Sequence, residues 1–292
     1  MALSAGRLSS NASNNGIMPR CDTIDGMIRE KVPPRELADW LISRGRHFVT
    51  TTEVAEILGV DATSVPASLE RAREAGKVIS VTKGGWVPVP AEYRAAAAPP
   101  PSHFVHQLME HLGHPYYVGF LSAAAVHGAS HQAPMVFQVV TPARLRERRI
   151  GRGRFQFIQR AAAGQRPRLQ HNVPTGRIWV STPEVTVFDL VESPNDGAGL
   201  SNVATVIGDF LIDGILDPHK LASVGAAYPA AVTQRAGYIV DSMATEVGAE
   251  LDTAPLRALV ARSRYRPLSP AGGGHHDPRW HVVANTRIEH DL

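Results

Sequence analysis

Apolar positions in residues 28–76 recur at helical spacing in three successive stretches, each closed by glycine. In "PPRELADWLISRG" the prolines suit a first helical turn, Leu37, Trp40 and Leu41 share one face, and Gly45 stops the helix. In "TTEVAEILG" Thr51 or Thr52 is placed to cap, Glu53 sits favourably in the first turn, Val54, Ile57 and Leu58 face inward, and Gly59 ends the run. A third helix follows, capped by Asp61, Thr63 or Ser64. Its Val65, Leu69 and Ala72 recur at i, i+4 and i+7, which makes one buried stripe and leaves Ser64, Ala67, Ser68 and Arg71 opposite.

The period then switches to two. Val78–Thr82 and Trp86–Val89 are short β-rich runs joined by Lys83-Gly84-Gly85, where glycine supplies the positive φ of a tight hairpin. Three helices followed by a hairpin predict a winged helix-turn-helix over residues 28–90. Two helices around a glycine turn also occur in proteins that bind no nucleic acid, so the hairpin and the spacing carry the DNA-binding expectation. The third helix is small at its front and cationic one turn later, which suits a tip entering a groove about 12 Å wide, and its N-terminus attracts phosphate. Thr51, Thr52, Thr63, Ser64, Ala67, Ser68 and Arg71 are the residues expected to face double-stranded DNA, with Lys77 and Lys83 flanking its backbone.

Residues 91–102, rich in Ala and Pro, have no amphipathic period and are expected to be a semi-rigid spacer. Beyond it, "HFVHQLMEHLG" and "VGFLSAAAVHGA" read as helices. "MVFQVVT", "RFQFIQR" and "GRIWVST" read as strands, and "TPEVTVFDLVES", "LSNVATVIGDFLIDG" and Pro229–Ala244 as helices again. This order predicts a C-terminal α+β domain over residues 103–268, with a small mixed sheet and several helices. A length of 292 residues fits two domains. "GGGHHDPRWH", in the tail 269–292, is expected to be a loop.

Residues 1–27 are Ser- and Asn-rich and read as a flexible leader, within which Met18 and Met27 offer alternative starts. The single cysteine, Cys21, excludes an intramolecular disulfide and leaves no thiolate cluster. No apolar run approaches the roughly 18 residues of a membrane span, and a cytoplasmic location is expected. Net charge is +3, unevenly spread: 12 − 11 = +1 for residues 1–100, 10 − 2 = +8 for 101–180, and 8 − 14 = −6 for 181–292. The basic middle suits a polyanion, or pairing with the chain's own acidic last third.

"YYVGFLSAAAVHG", "PMVFQVVTPARLR", "RFQFIQR" and "VSTPEVTVFDLVESP" together resemble the AbiEi-type antitoxins of bacterial toxin–antitoxin and phage-defence systems. Tyr117, Gly119, Ser122, Ala123, His127, Gly128, Thr141, Pro142, Pro183, Glu184, Thr186 and Asp189 occupy the places of that family's pattern, and the resemblance spans about residues 35–245. It implies an N-terminal winged helix that represses its own promoter. It also implies a C-terminal domain that counters a co-encoded nucleotidyltransferase-like toxin.

Arg144, Arg146, Arg148, Arg149, Arg152 and Arg154, against the single Glu147, form a loop between two predicted strands. It is expected to track DNA phosphates, the alternatives being the acidic last third or an acidic toxin face. The alternative to DNA recognition as a whole is a protein-interaction module that neutralises a toxin by direct binding. His127 and His131 stand four apart, but Gly128 interrupts the helix and no Glu or Cys accompanies them, so no metal is expected. Glu184, Asp189 and Glu192 share a helix without a nucleophile or phosphate loop and are assigned to helix-start and polar-core contacts. Neither catalysis nor a cofactor is expected.

Overall fold

The computed structural model describes residues 31–129, 135–270 and 272–288; Cys21 and His131 lie outside them. The first apolar stripe becomes α1 (Leu37–Ser43), with Leu37 and Leu41 fully buried. Strand β1 (Val49–Thr50) leads straight into α2 (Thr51–Leu58), which Gly59 ends with a φ of 66°. The cap lies one residue earlier than predicted. Thr50, rather than Thr51 or Thr52, accepts from the Glu53 N–H at 3.2 Å, and the Glu53 carboxylate accepts from the Thr50 N–H at 2.7 Å. Thr51 is drawn into the first turn by the hairpin: its N–H donates to the Gly84 carbonyl, and its Oγ1 accepts from the Trp86 indole at 2.9 Å.

The third stripe is less regular than its period implies. A 3-10 turn (Ala62–Ser64), α3 (Val65–Ser68) and α4 (Glu70–Glu74) follow one another, with a break at Leu69. Neither Asp61 nor Ser64 caps through its side chain. Val65, Leu69 and Ala72 nevertheless all point into the core.

Strands β2 (Val78–Thr82) and β3 (Gly85–Pro88) form the expected hairpin, with β1 on the far side of β3. Gly84 takes the positive φ of 76° that the turn needs. Gly85 is glycine for room instead, since a Cβ there would lie 2.6 Å from Thr82 Cγ2 and 2.8 Å from Phe48 Cζ. Side chains alternate between the two faces of the hairpin. Val78 and Trp86 pack on Leu37, Leu41, Val54 and Leu69, whereas Val81 and Val87 enter a second core with Phe104, Leu108 and Phe155. The hairpin is thus buried on both faces, which accounts for the unbroken apolar run "WVPV".

The Ala/Pro segment is not a bare spacer. It folds as two 3-10 turns (Ala91–Ala96 and Pro101–His103) with Ala98 buried. Small side chains admit close approach: a Cβ on Gly151 would lie 2.6 Å from the Ala96 carbonyl oxygen, and the Arg152 N–H donates to that oxygen at 3.1 Å. Val32–Leu292 accordingly form one compact unit.

Its larger part contains α5 (Val105–His111), β4 (Tyr117–Val118), α6 (Phe120–Val126), β5 (Val136–Thr141), β6 (Arg148–Ile150), β7 (Gly153–Gln159), β8 (Arg168–Val173) and β9 (Gly176–Ser181). The strands make one mixed sheet in the order β6-β7-β5-β4-β9-β8. The three strands expected from sequence are β5, β7 and β9. Helices α7 (Pro183–Glu192), α8 (Leu200–Ile212), α9 (Pro218–Gly225), α10 (Ala230–Val247) and α11 (Ala254–Ala258) follow. Thr182 caps α7 through the Val185 N–H, as its sequence implies. The stretch "GGGHHDPRWH", expected to be a loop, instead contains β11 (His275–Asp277), which joins β10 (Arg266–Pro267) and β12 (Val282–Ala284) in a small sheet.

Helix α7 is buried along its length, and so is Asp189 within it. The carboxylate accepts from Tyr117 Oη at 2.8 Å and Tyr228 Oη at 2.7 Å, which joins β4, α7 and the entry to α10. Burial, only partly offset by these donors, pushes its pKa up to about 6 from an ordinary 3.8. The native state therefore holds this proton more tightly than the unfolded chain, and the group's contribution to stability, full below pH 3.8, is lost as pH rises through 6. Between pH 4 and pH 7 the protein should lose on the order of 3 kcal/mol more stability than its Asp189→Asn variant. Urea unfolding of both proteins at the two pH values measures this, and equal losses would show that the carboxylate is not desolvated.

Candidate nucleic-acid interface

Burial of Val65, Leu69 and Ala72 turns the opposite side of the α3–α4 segment to solvent. Thr63, Ser64, Ala67 and Arg71 are exposed there and Ser68 is half-buried. Thr52 is exposed at the start of α2, whereas Thr51 is committed to Trp86. Lys83 is exposed at the hairpin turn, where its carbonyl accepts from His111 Nε2 at 3.2 Å. Lys77 does not stand free beside the tip. Its Nζ lies 3.6 Å from Asp39 Oδ2, and Arg94 approaches the other oxygen of the same carboxylate at 3.6 Å, tying α1 to the hairpin and to the turn after it.

The arginine segment is a hairpin rather than a loop, because β6 pairs antiparallel with β7 at the sheet edge. Strand alternation separates its side chains. Arg148 turns inward and donates from Nη1 to the Val81 carbonyl at 2.8 Å, and burial lowers the pKa of its guanidinium. Arg149 turns outward, and Arg144, Arg146 and Arg152 are exposed as well. Arg154 is held by Glu147 in a two-bond ion pair whose Nη2–Oε2 distance is 2.8 Å. Five of the six arginines are thus exposed, Arg154 among them but paired on the surface with Glu147, and Arg148 alone is turned into the fold.

Arg148 connects the arginine hairpin to β2, and a cleft of about 450 Å³ opens between them. Glu70, Arg73 and Glu74 of α4 line one side, Ser80 of β2 the floor, and Arg149 the other side. Arg73 was not among the residues singled out from sequence. Its repeat with Arg71, two positions earlier, was the available signal, and the flanking glutamates obscured it. The tip and the exposed arginines belong to the same compact unit, with the acidic Glu70 and Glu74 between them.

The positions shared with the antitoxin pattern are buried or half-buried except Gly128, which is exposed. A Cβ on Gly119 would lie 2.8 Å from Val140 Cγ2. Ser122 Oγ donates to the Val136 carbonyl at 3.1 Å and accepts from the Gln138 N–H at 2.9 Å. Thr141 Oγ1 donates to the Pro115 carbonyl at 2.9 Å, and buried Glu184 accepts from the Asp217 N–H at 3.2 Å. His127 donates through Nε2 to the Ser181 carbonyl at 2.7 Å, packs against Phe210, and has its pKa lowered by burial. Among the described residues no group of three or more His, Cys, Asp or Glu side chains could hold a metal ion.

Residues 117–242 match the family described as the AbiEi antitoxin C-terminal domain. This part of the chain is similar to an AbiEi antitoxin domain. That domain extends from β4 into α10 and includes the arginine hairpin. No curated protein matches the sequence. Among solved structures, the RV2827C protein from Mycobacterium tuberculosis is similar in fold at 17% identity, with a TM-score of 0.61 over 86% of this chain and 92% of that one. The likeness therefore includes segments on both sides of the AbiEi domain. No helix among the described residues is long and apolar enough to cross a membrane.

Neighbouring arginines of this domain should behave oppositely on substitution. Arg148→Ala orphans the Val81 carbonyl and should cost about 1–3 kcal/mol, whereas Arg149→Ala should stay within about 0.5 kcal/mol of the parent. Urea midpoints compare the two, and equal effects would mean that Arg148 does not support the β2–β3 hairpin.

Proposed function

We propose that this chain is the antitoxin of a toxin–antitoxin pair and represses its own promoter through a winged helix-turn-helix formed by residues 28–90. An antitoxin role follows from the AbiEi domain. DNA recognition is our inference from the exposed tip of α3–α4, where Thr63, Ser64, Ala67 and Arg71 surround a slim helical edge while the apolar stripe stays inside. In this assignment Ser64, Ser68 and Arg71 meet base edges in the major groove, and Thr52 and Lys83 meet the flanking backbone. Arg144, Arg146, Arg149 and Arg152 extend the phosphate contacts from the AbiEi domain. Paired half-sites in the promoter would let two copies bind side by side. The same domain counters a co-encoded nucleotidyltransferase-like toxin, and the chain itself is no catalyst.

A second reading, that the chain acts by direct toxin binding without sequence-specific DNA recognition, is favoured by one observation: Glu70 and Glu74 place negative charge within a turn of Arg71. Gel-shift titration on the promoter separates the two. Arg71→Ala should weaken binding by about 1–3 kcal/mol if it contacts a base bidentately. Unchanged affinity would remove Arg71 from the interface, and a stable toxin complex with no promoter retention by the parent protein would establish the second reading. Replacing Arg144, Arg146, Arg149 and Arg152 with Gln should flatten the plot of log affinity against log salt by about 0.9 for each phosphate no longer neutralised. An unaltered slope would assign those arginines to a protein partner.

A further inference from the structure

Beyond residue 242, where the AbiEi match ends, α10 carries the appended sheet β10-β12-β11. Its anchor is Trp280, only 1% exposed. The Trp280 ring fills the room left by Gly237, where a Cβ would come within 2.1 Å of Cζ3, and its indole N–H donates to Asp241 at 2.7 Å. Earlier on the same helix, the Gln234 amide nitrogen reaches the carbonyls of Arg264 at 2.9 Å, Trp280 at 3.2 Å and His281 at 2.9 Å. The sheet is fixed to the helix by packing and by buried polar contacts, not tethered as a tail.

Its outer residues differ from those of the helices below. Residues 181–256 carry 2 Lys or Arg against 11 acids, −9, whereas residues 257–292 carry 6 Arg against 3 acids, +3. Arg264, Tyr265, Arg266 and His276 are exposed on or beside the sheet. The Tyr265 ring, 40% exposed as a residue, lies 4.7 Å from the His276 ring and 5.3 Å from that of His281. Arg235 of α10 donates to the Pro267 carbonyl at 2.9 Å. Its pKa is lowered by burial and further by the nearby charge of Arg266, a repulsion that an anion would relieve. Among the described residues neither Arg264 nor Arg266 has a carboxylate at ion-pair distance, and the ion pair that this part does make, Arg279 with Asp241, lies on the Trp280 side.

We propose that this sheet binds single-stranded nucleic acid, with Arg264 and Arg266 on phosphates and Tyr265 stacked on an unpaired base. The combination selects the partner. A duplex keeps its base faces covered, and an acidic protein surface offers carboxylates but no base to stack, whereas a single strand supplies phosphates and open π-faces together.

Fluorescence anisotropy with the full chain tests the assignment on three labelled probes: a single strand of mixed sequence, an abasic strand of equal length, and the corresponding duplex. The single strand should bind about tenfold more tightly than the abasic strand. Tyr265→Ala should abolish that ratio while leaving abasic binding in place, Tyr265→Phe should restore it, and replacing Arg264 and Arg266 together with Ala should weaken both strands. The ratio of the two strands should survive in the Arg71→Ala protein, whatever its overall affinity. Equal affinity for the two strands, or a ratio insensitive to Tyr265→Ala, would overturn the proposal and reduce the patch to a surface for polyanions in general. So would a duplex bound as tightly as the single strand by the Arg71→Ala protein. A ratio that falls with Arg71→Ala would overturn it too, by moving single-strand binding to the helical tip.

Discussion

Val81 and Val87 determine how the two ends of the molecule stand to one another. Each lies on the hairpin face turned away from the first three helices and is buried with Phe104, Leu108 and Phe155. Removing side chains of this size from water is worth on the order of 1.5–3 kcal/mol apiece, far more than the exposed charge pairs near them. The Arg148 bond to the Val81 carbonyl adds direction to that burial. The β2–β3 hairpin is thereby held between two cores, and it links the α3–α4 segment to the sheet that carries the β6–β7 hairpin.

Beneath the sheet, the residues that mark the AbiEi pattern form a buried polar framework. Tyr117 and Tyr228 hold one carboxylate between them, Ser122 joins α6 to β5, Thr141 closes the end of β5 on Pro115, and His127 fixes the C-terminal end of α6 to Ser181. Buried polar groups are costly unless paired, so each position constrains its partner across the fold. Such a set specifies shape. Chemistry toward a partner is left to the surface.

Sequence was most legible where a long apolar period met a clear boundary signal. Thr182-Pro183 announced α7, and β-branched runs announced β5, β7 and β9. Shorter elements were hidden for physical reasons. Strand β4 has two residues, and β6 and β8 are edge strands whose polar residues, "RRI" and "RLQHNV", resemble loop sequence. Missing β6 also concealed its alternation, so Arg148 and Arg149 looked alike although one bonds to β2 and the other faces solvent. Lys77 read as free because its partner Asp39 comes from α1, a tertiary neighbour with no local signal. The cap at Thr50 was misplaced by one residue because three successive threonines each satisfy the local rule, and only Trp86 draws the second away. The appended sheet was invisible because its glycines and histidines mimic a loop, while its anchor is a single tryptophan whose socket is a glycine on another element.

The position of β6 has one more consequence. It closes the six-stranded sheet on one side, and among the described residues no further strand lies beyond it to satisfy its outward backbone groups. Open borders of this kind invite another chain to add itself, and dense like charge is among the means by which soluble proteins deter that growth. Arg149, the arginine of β6 that faces solvent, thus guards that border against self-association, and trading it for a neutral residue would leave a stickier molecule.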